Sequence, residues 1–349
     1  MIQPLLRGRL LYVVLGLFVL GLYWRTIQLG PVEPPDTTHI AQSVPQHAQM
    51  AWPTTLTEQT LKDLISANPP LGGALCVLTI FIVGMSVGGI GFAMWGVWTG
   101  SVRSIWRFRS PRLPPWTFGE LARITLLVIL LASLLPFVRL AFLAYRPAWM
   151  LDAHVWTVIS VLVLDGLVFL IILVFAIQKG RTAWSALGFS GRRLRGAIET
   201  GFCGYVAVFP WLVGLLILIM VLAQRFGFEP PMEPIQELIL QETRPFILGL
   251  TVFLACLVGP IAEEVFFRGV VYTAIRRRLS RWPAIILSGA IFSGLHTNVI
   301  GFLPIMVLGG LLAYLYERTG SLVSPLAVHV LHNTFLMVLA LVFRYLTPV

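Results

Sequence analysis

Long apolar runs are the feature that most constrains this chain. Hydrophobic residues make up 57% of its 349 residues and charged residues only 11%, whereas an ordinary soluble domain carries about 25% charged residues. Because so little charge cannot cover a water-facing surface, most of the surface must face lipid. Soluble multidomain, disordered and disulfide-framework proteins are therefore excluded. The three cysteines stand singly in apolar stretches, where a packed thiol is expected.

The length of the apolar runs predicts the fold class. A membrane-crossing helix needs about 20 mostly apolar residues, so we predict an all-α fold, a polytopic transmembrane helical bundle of about 8–9 spans. The seventh and eighth segments are short and almost continuous, which is also compatible with a tilted or re-entrant hairpin. The nine segments are 9–29, 72–98, 121–144, 155–177, 198–222, 246–275, 283–297, 299–316 and 321–346.

The placement of basic residues predicts the orientation. With the N-terminus inside, 16 basic residues fall in the inner segments, and the outer ones hold Lys62, Arg146, Arg225 and Arg244. Such an excess marks the cytoplasmic side, so we expect a cytoplasmic N-terminus. This placement also accounts for the net charge of +10, and no nucleic-acid partner is expected. The arginine-rich loops predict a multi-pass protein of the cell membrane, the bacterial plasma (inner) membrane.

The chain divides into two predicted regions. Residues 1–184 form an N-terminal transmembrane region whose extracytoplasmic loop, 30–70, is rich in Pro, Thr and Gln and has one short helix near Leu56–Ser66. Residues 185–349 form a transmembrane core in which buried polar residues become frequent. Its outer segment 226–245 is predicted to be a capping loop with an interfacial helix.

Ionisable side chains within the apolar spans indicate a functional site or local pairing, because each costs about 3 kcal/mol in hydrocarbon. Arg139 lies near a span end and is expected to snorkel to the interface. Asp165 is expected to be structural, either protonated and bonded to a neighbouring helix or paired with Arg139. The others are Glu263, Glu264, Arg268, His296, His329 and His332.

The sixth span carries two adjacent acids. Glu264 and Arg268 stand four residues apart and can form an ion pair on one face of the helix. Glu263 is turned about 100° from Glu264 and has no cation in its own helix, which leaves it available as a base. The alternative is that both acids neutralise Arg268 in a structural cluster.

Histidines follow in two later spans. His296 ends the seventh span, and a lone histidine on an apolar helix is often a packed core residue. Its neighbour Ser293 is expected to be a small packing residue rather than a nucleophile. In the ninth span His329, His332 and Asn333 share one stripe, which must face protein or water.

The depth of these residues favours one site over several. Depth is counted in residues from the nearest arginine at the predicted inner end of each helix. By this count four residues lie 11 to 15 residues into their spans: Glu263, His296, His329 and Asn333. At about 1.5 Å per residue this is roughly 16–23 Å. The sixth, seventh and ninth spans therefore place polar residues in one layer.

The residue types suit hydrolysis of an amide. A carboxylate facing a histidine can deprotonate a water molecule, and a second histidine with an asparagine amide offers donors to an oxyanion. No serine or cysteine nucleophile is then required. A proton-coupled transporter would place similar residues in the membrane, although the lack of an internal repeat disfavours it.

Three motifs in this order resemble a known family. Glu-Glu-x-x-x-Arg, Phe-x-x-x-His and His-x-x-x-Asn are similar to the motifs of the intramembrane endopeptidases of the CAAX prenyl protease and bacteriocin-processing (Abi) family. The resemblance covers about residues 185–345. Its flanking sequence includes Leu187-Gly188-Phe189, Phe267-Arg268-Gly269, Ser321-Leu322 and Pro325.

The resemblance implies roles for the motif residues. Glu263 and His296 would activate the water, and His329 and Asn333 would stabilise the oxyanion. The substrate would be a membrane-associated peptide or protein. The supporting residues, which would hold the helix and the carboxylate in place, are Glu264 and Arg268.

The resemblance leaves the cofactor open, because the family has been described both with and without a metal. We expect no cofactor, since the sequence has no HExxH pair. Zn²⁺ is the alternative, with Glu263, His296 and His329 as its ligands. A non-catalytic immunity or scaffold protein of the same fold is a further alternative, although all four catalytic positions are filled.

Overall fold

The computed structural model of the chain describes residues 12–14, 16–18, 21, 58–100, 116–143, 152–178, 180, 194–228, 234–296 and 300–346. Within these ranges the regular elements are helices and none is a strand. We number the helices α1 Glu58–Ala67, α2 Pro69–Trp98, α3 Phe118–Leu143, α4 Ala153–Gln178, α5 Leu194–Arg225, α6 Pro234–Gln241, α7 Pro245–Arg276, α8 Arg281–Leu295, α9 Phe302–Thr319 and α10 Val323–Leu346.

The predicted fold class, a polytopic transmembrane helical bundle, is confirmed. Six of the described helices are long and apolar enough to cross a membrane: α2, α3, α4, α5, α7 and α10. The first predicted span, 9–29, lies mostly outside the described residues, and 12–14, 16–18 and 21 are helical. The number of spans and the orientation therefore stay predictions.

The short helices expected between the spans are present. The helix predicted near Leu56–Ser66 is α1, and the helix predicted within 226–245 is α6. Most of loop 30–70 lies outside the described residues. The expectation of packed thiols is wrong for Cys76 and Cys203, which are exposed on the bundle surface, while Cys256 is half-buried. On a lipid-facing helix an exposed thiol costs little free energy, because the lipid is as apolar as the protein interior.

Helices from both predicted regions share one core. Ile172 and Phe175 of α4 pack in the same cluster as Val270 and Val271 of α7 and Phe292 of α8. The boundary near residue 185 stays a prediction. This packing nevertheless brings α4 against the helix that carries the paired acids.

The seventh and eighth predicted spans form an antiparallel pair of helices, α8 and α9. Trp282 stacks on Tyr314, with ring centroids 6.2 Å apart, near one end of the pair. At the other end Ser293 Oγ donates a hydrogen bond of 2.6 Å to Phe302 O. Between these contacts Gly289 lets the backbones approach, since a Cβ there would lie 2.7 Å from Met306 O. Small residues serve this purpose in membrane helix packing.

A buried acid ties together one end of the bundle. Glu317 is 1% exposed and accepts hydrogen bonds from Tyr272 Oη at 2.8 Å, from Arg276 Nε at 3.1 Å and from Arg281 Nε at 2.9 Å. Helices α7, α8 and α9 therefore meet at one level. Because the next residue is Arg318, the arginines that served as depth markers in the sequence do lie together.

A second polar cluster lies towards the opposite end, where α4 and α7 begin. Arg244 pairs with Asp152 and with Glu242, at 2.6 Å in both cases. These hydrogen bonds lower the pKa of Asp152 and of Glu242 to about 2. His154 Nδ1 also lies 3.0 Å from Glu242. The cluster fastens the segment between α6 and α7 to the start of α4.

The close contact of α8 with α9 yields a prediction about stability. In Gly289→Ala the new methyl group would overlap backbone atoms of α9. We expect a loss of about 1–3 kcal/mol in the free energy of unfolding, the usual cost of overpacking. The measurement is denaturant unfolding of the purified protein in detergent. Gly294→Ala on the same helix is the matched control, because a Cβ there meets none of the described residues within 4 Å. Equal effects of both substitutions would contradict the packing described.

Candidate active site

Helix α7 changes its hydrogen-bond pattern on both sides of the paired acids. The segments Leu254–Val258 and Phe267–Tyr272 are π-helical, and the α-helical segment Gly259–Phe266 between them carries Glu263 and Glu264. Such π segments are often found at functional sites. In the first segment the Gly259 N–H donates to Leu254 O, five residues back.

The buried ion pair is the one that the sequence spacing predicts. Arg268 Nη1 donates to Glu264 Oε1 at 2.9 Å, and both side chains are at most 1% exposed. Arg268 Nη2 donates to Gly309 O of α9 at 3.1 Å. The guanidinium also lies over the Phe292 ring of α8, 4.6 Å from its centroid. Arg268 thus joins α7 to the α8–α9 pair.

The first acid of the pair stands apart from this cation. Glu263 Oε2 lies 3.9 Å from His296 Nε2 and 3.7 Å from His329 Nε2. This oxygen is buried and, within the described residues, has no hydrogen-bond partner. Helices α7, α8 and α10 therefore bring one carboxylate oxygen and two imidazole nitrogens to one point. A cluster in which both acids neutralise Arg268 is not what the structure has.

The local structure of α8 orients His296. The residue caps the C-terminal end of α8, and its Nδ1 donates to Phe292 O at 2.8 Å. With Nδ1 protonated, the neutral ring leaves Nε2 as an acceptor that faces Glu263. His296 and Glu263 are each about one third exposed, 34% and 32%. Ser293 bonds Phe302 O, as a packing residue would.

His329 is held more tightly. Its side chain is 3% exposed, and its Nδ1 lies 2.8 Å from Glu264 Oε1, the same oxygen that accepts from Arg268. One carboxylate therefore fixes both the guanidinium and the imidazole. The ring is turned so that Nε2 points towards Glu263. A carboxylate or carbonyl on one ring nitrogen commonly sets which face of a histidine is reactive.

Two further residues of α10 make hydrogen bonds outside the cluster of Glu263, His296 and His329. Asn333 Nδ2 donates to Ala255 O in the first π segment of α7 at 2.9 Å, so one of its two amide hydrogens is engaged. His332, which the sequence left without a role, lies with Nδ1 2.9 Å from Tyr205 Oη of α5. His332 therefore belongs to the contact of α10 with α5.

Asp165 is a carboxylate near the site that sequence reasoning treated as structural. A Cβ placed on Gly259 would lie 3.7 Å from Asp165 Oδ2 and 3.9 Å from Glu263 Oε1, so the two oxygens are less than about 8 Å apart. Of the two alternatives for Asp165, the pairing with Arg139 is wrong: within the described residues Asp165 Oδ2 and Arg139 Nε have no hydrogen-bond partner, and the Arg139 guanidinium lies over the Trp156 ring, 5.4 Å from its centroid. The same holds for a hydrogen bond from Oδ2 to a neighbouring helix. The position of Asp165 in mid-span was the one sequence feature that indicated a place near the site.

The side chains proposed as zinc ligands are spread more widely than zinc requires. In the described part of the chain, no group of three or more His, Cys, Asp or Glu side chains is placed to hold a metal ion. Two ligands on tetrahedral Zn²⁺ at 2.0–2.1 Å would be roughly 3.3 Å apart. The Glu263 oxygen and the two imidazole nitrogens are 3.7 and 3.9 Å apart, so the side chains would have to move together.

Fold and side-chain arrangement together define a class, polytopic helical membrane proteins with a carboxylate–histidine cluster inside the bundle. Residues 245–335 match the family model described as "Type II CAAX prenyl endopeptidase Rce1-like". The family resemblance carried by the motifs is thus confirmed over this part of the chain. The match contains all six motif residues assigned above.

Two curated proteins are similar to part of the chain. "Putative membrane peptidase YdiL" of Bacillus subtilis (strain 168) is 30% identical over 92 residues, 26% of this chain and 38% of that protein. "Uncharacterized 24.3 kDa protein" of Escherichia coli is 25% identical over 128 residues, 34% of this chain and 58% of that protein. The similarity thus covers less than two thirds of either relative. No solved structure matches the chain significantly.

The buried pair predicts different effects for the two adjacent acids. Glu264→Gln leaves the fully buried Arg268 without its counter-ion, which we expect to cost about 3–5 kcal/mol in the free energy of unfolding. Glu263→Gln is the matched control, since Glu263 makes no ion pair with Arg268, and we expect it to change stability little. Chemical denaturation in detergent compares the variants. A larger loss for Glu263→Gln would contradict the pairing.

Proposed function

We propose that this chain is an intramembrane endopeptidase that hydrolyses a peptide bond in a membrane-associated peptide or protein. The observation that carries the proposal is the meeting of Glu263 Oε2 with two imidazole nitrogens from two other helices, each within 4 Å. The peptidase family model matched by residues 245–335 supports it. The proposed location is the bacterial plasma (inner) membrane.

The first step is activation of water. A separation of 3.9 Å between Glu263 Oε2 and His296 Nε2 is too long for a direct hydrogen bond, and both atoms are acceptors. A water molecule between them donates one hydrogen to each and directs a lone pair at the scissile carbonyl carbon. As the new C–O bond forms, Glu263 takes one proton from the water by general-base catalysis.

The second step is stabilisation of the oxyanion. For His329 to donate from Nε2, both ring nitrogens must carry hydrogen, because Nδ1 already donates to Glu264. Asn333 keeps a second amide hydrogen, which it can donate to the oxyanion. The C–N bond then breaks, and the leaving amine takes the proton from Glu263.

The remaining motif residues act through others. Arg268 holds Glu264, and Glu264 holds the His329 ring. We therefore assign both as positioning residues. Neither needs to touch the substrate. Because Arg268 and Glu264 are buried, water is excluded from the side of the cluster that faces α9. A hydrogen bond from water there would compete with Glu264 and weaken the orientation of the His329 ring.

The proposal predicts distinct losses of activity. Glu263→Gln removes the base and His296→Ala removes the second acceptor for the water, so we expect no detectable cleavage by either variant. His329→Ala should retain residual activity, with a loss on the order of 10²–10³ in rate, the usual cost of losing one oxyanion donor.

The substrate and the losses can be measured together. Membrane peptides are compared by mass spectrometry between cells with the wild-type chain and cells with Glu263→Gln, and an uncut peptide that accumulates in the variant is then assayed with purified protein. His332→Ala, which changes the contact with α5 and not the site, controls for damage to α10. Cleavage by Glu263→Gln at the wild-type rate would refute the proposal.

We propose further that the reaction proceeds without a metal, since Glu263 can act as the base unaided. The expected result is unchanged cleavage after exhaustive chelation and removal of the chelator. Loss of activity that added Zn²⁺ restores would contradict this, and would make Glu263, His296 and His329 the ligands to test. Metal analysis of the purified protein gives an independent measurement.

A further inference from the structure

The carbonyl of Ala255 has an unusual position in α7. In an α-helix it would accept from the N–H of residue 259, and in a π-helix from that of residue 260. The Gly259 N–H donates instead to Leu254 O, and residue 260 is a proline, which has no N–H. Neither backbone donor is therefore available to Ala255 O.

Asn333 supplies the missing donor from another helix. Its Nδ2 lies 2.9 Å from Ala255 O, within a bundle where water is scarce. A carbonyl left unbonded there is unfavourable, because no water replaces the missing donor. The Asn333 side chain therefore stabilises the π segment Leu254–Val258 relative to an ordinary α-helical turn, in which Gly259 could bond Ala255 itself.

The π segment determines where Glu263 points. One extra residue in a turn rotates everything that follows by about 100° relative to what precedes it. Leu254, the first residue of the π segment, packs against Val158 and Leu238. After it, Val265 packs in the cluster that contains Phe292. Both halves of α7 can keep these partners only if the rotation between them is kept.

We propose that Asn333 is a positioning residue that aims Glu263 by holding the π segment through Ala255 O. This deepens the proposed function and rests on it. The amide of Asn333 then acts on the base, eight residues further along α7, as well as on any oxyanion. In its absence the segment can revert to an α-helical turn, which would rotate the Glu263 carboxylate away from His296.

The double variant Asn333→Ala with Pro260→Ala tests the proposal. Alanine at 260 restores an N–H five residues after Ala255, where it can bond the same carbonyl without Asn333. Asn333→Ala removes the hydrogen bond to Ala255 O and one oxyanion donor together, so we expect kcat to fall by more than the roughly 10²- to 10³-fold that one oxyanion donor is worth. Against a Pro260→Ala background, where Ala255 O keeps a donor, the same substitution should lower kcat only by the share of the oxyanion donor, about 10²- to 10³-fold, with KM little changed in both backgrounds.

The outcomes separate the two proposals. If Asn333 acts only as an oxyanion donor, Pro260→Ala cannot compensate, and an equal loss of kcat in both backgrounds overturns this inference. The proposed function would still stand, because it depends on Glu263→Gln being inactive. If Glu263→Gln cleaves, the proposed function itself fails.

Folding is controlled within the same series. Each variant is first unfolded thermally in detergent to establish that it is folded. Should Asn333→Ala not fold, Asn333→Leu replaces it, since leucine has a similar shape but no group that can donate a hydrogen bond. The proposal predicts the same rescue by Pro260→Ala for that variant, and its absence counts against the proposal equally.

Discussion

The arrangement of the site depends on one buried ion pair, Glu264 with Arg268. A guanidinium and a carboxylate that are both out of contact with solvent are stable only when each has further partners. Arg268 obtains them from Gly309 O and the Phe292 ring, and Glu264 obtains one from His329. Helices α8, α9 and α10 thus each supply a partner to this pair on α7. The orientation of His329 follows from satisfying a buried charge.

Much of this architecture can be predicted from the sequence. Apolar length predicts the helices, and spacing by four predicts the Glu264–Arg268 pair. The common depth of Glu263, His296 and His329 predicts that they meet, since helices that cross the same layer are counted from the same interface. The contact of Arg276 and Arg281 with Glu317 explains why arginines were suitable markers.

Other features could not be predicted because they depend on rotation or on pairing between helices. Helical spacing assumes a rotation of 100° per residue throughout, and the π segments of α7 change that rotation. The hydrogen-bond partner of Asn333 on α7 was therefore not apparent from the sequence. Pro260, which has no N–H, was the sequence feature that could have indicated a backbone carbonyl without its usual donor. The approach of Asp165 depends on the small size of Gly259, and a choice between Gly259 and Arg139 as its neighbour cannot be made without knowing how α3, α4 and α7 pack.

The shortness of α8 affects how water reaches the site. Its 15 residues rise about 22 Å, whereas the hydrocarbon layer is about 30 Å thick. The helix begins level with Arg276 at one end of the bundle, so it ends at His296 well before the other face. About 8 Å of the layer therefore remains between His296 and that face. Water therefore has a shorter path to the site from that face than from the end of the bundle that holds Glu317.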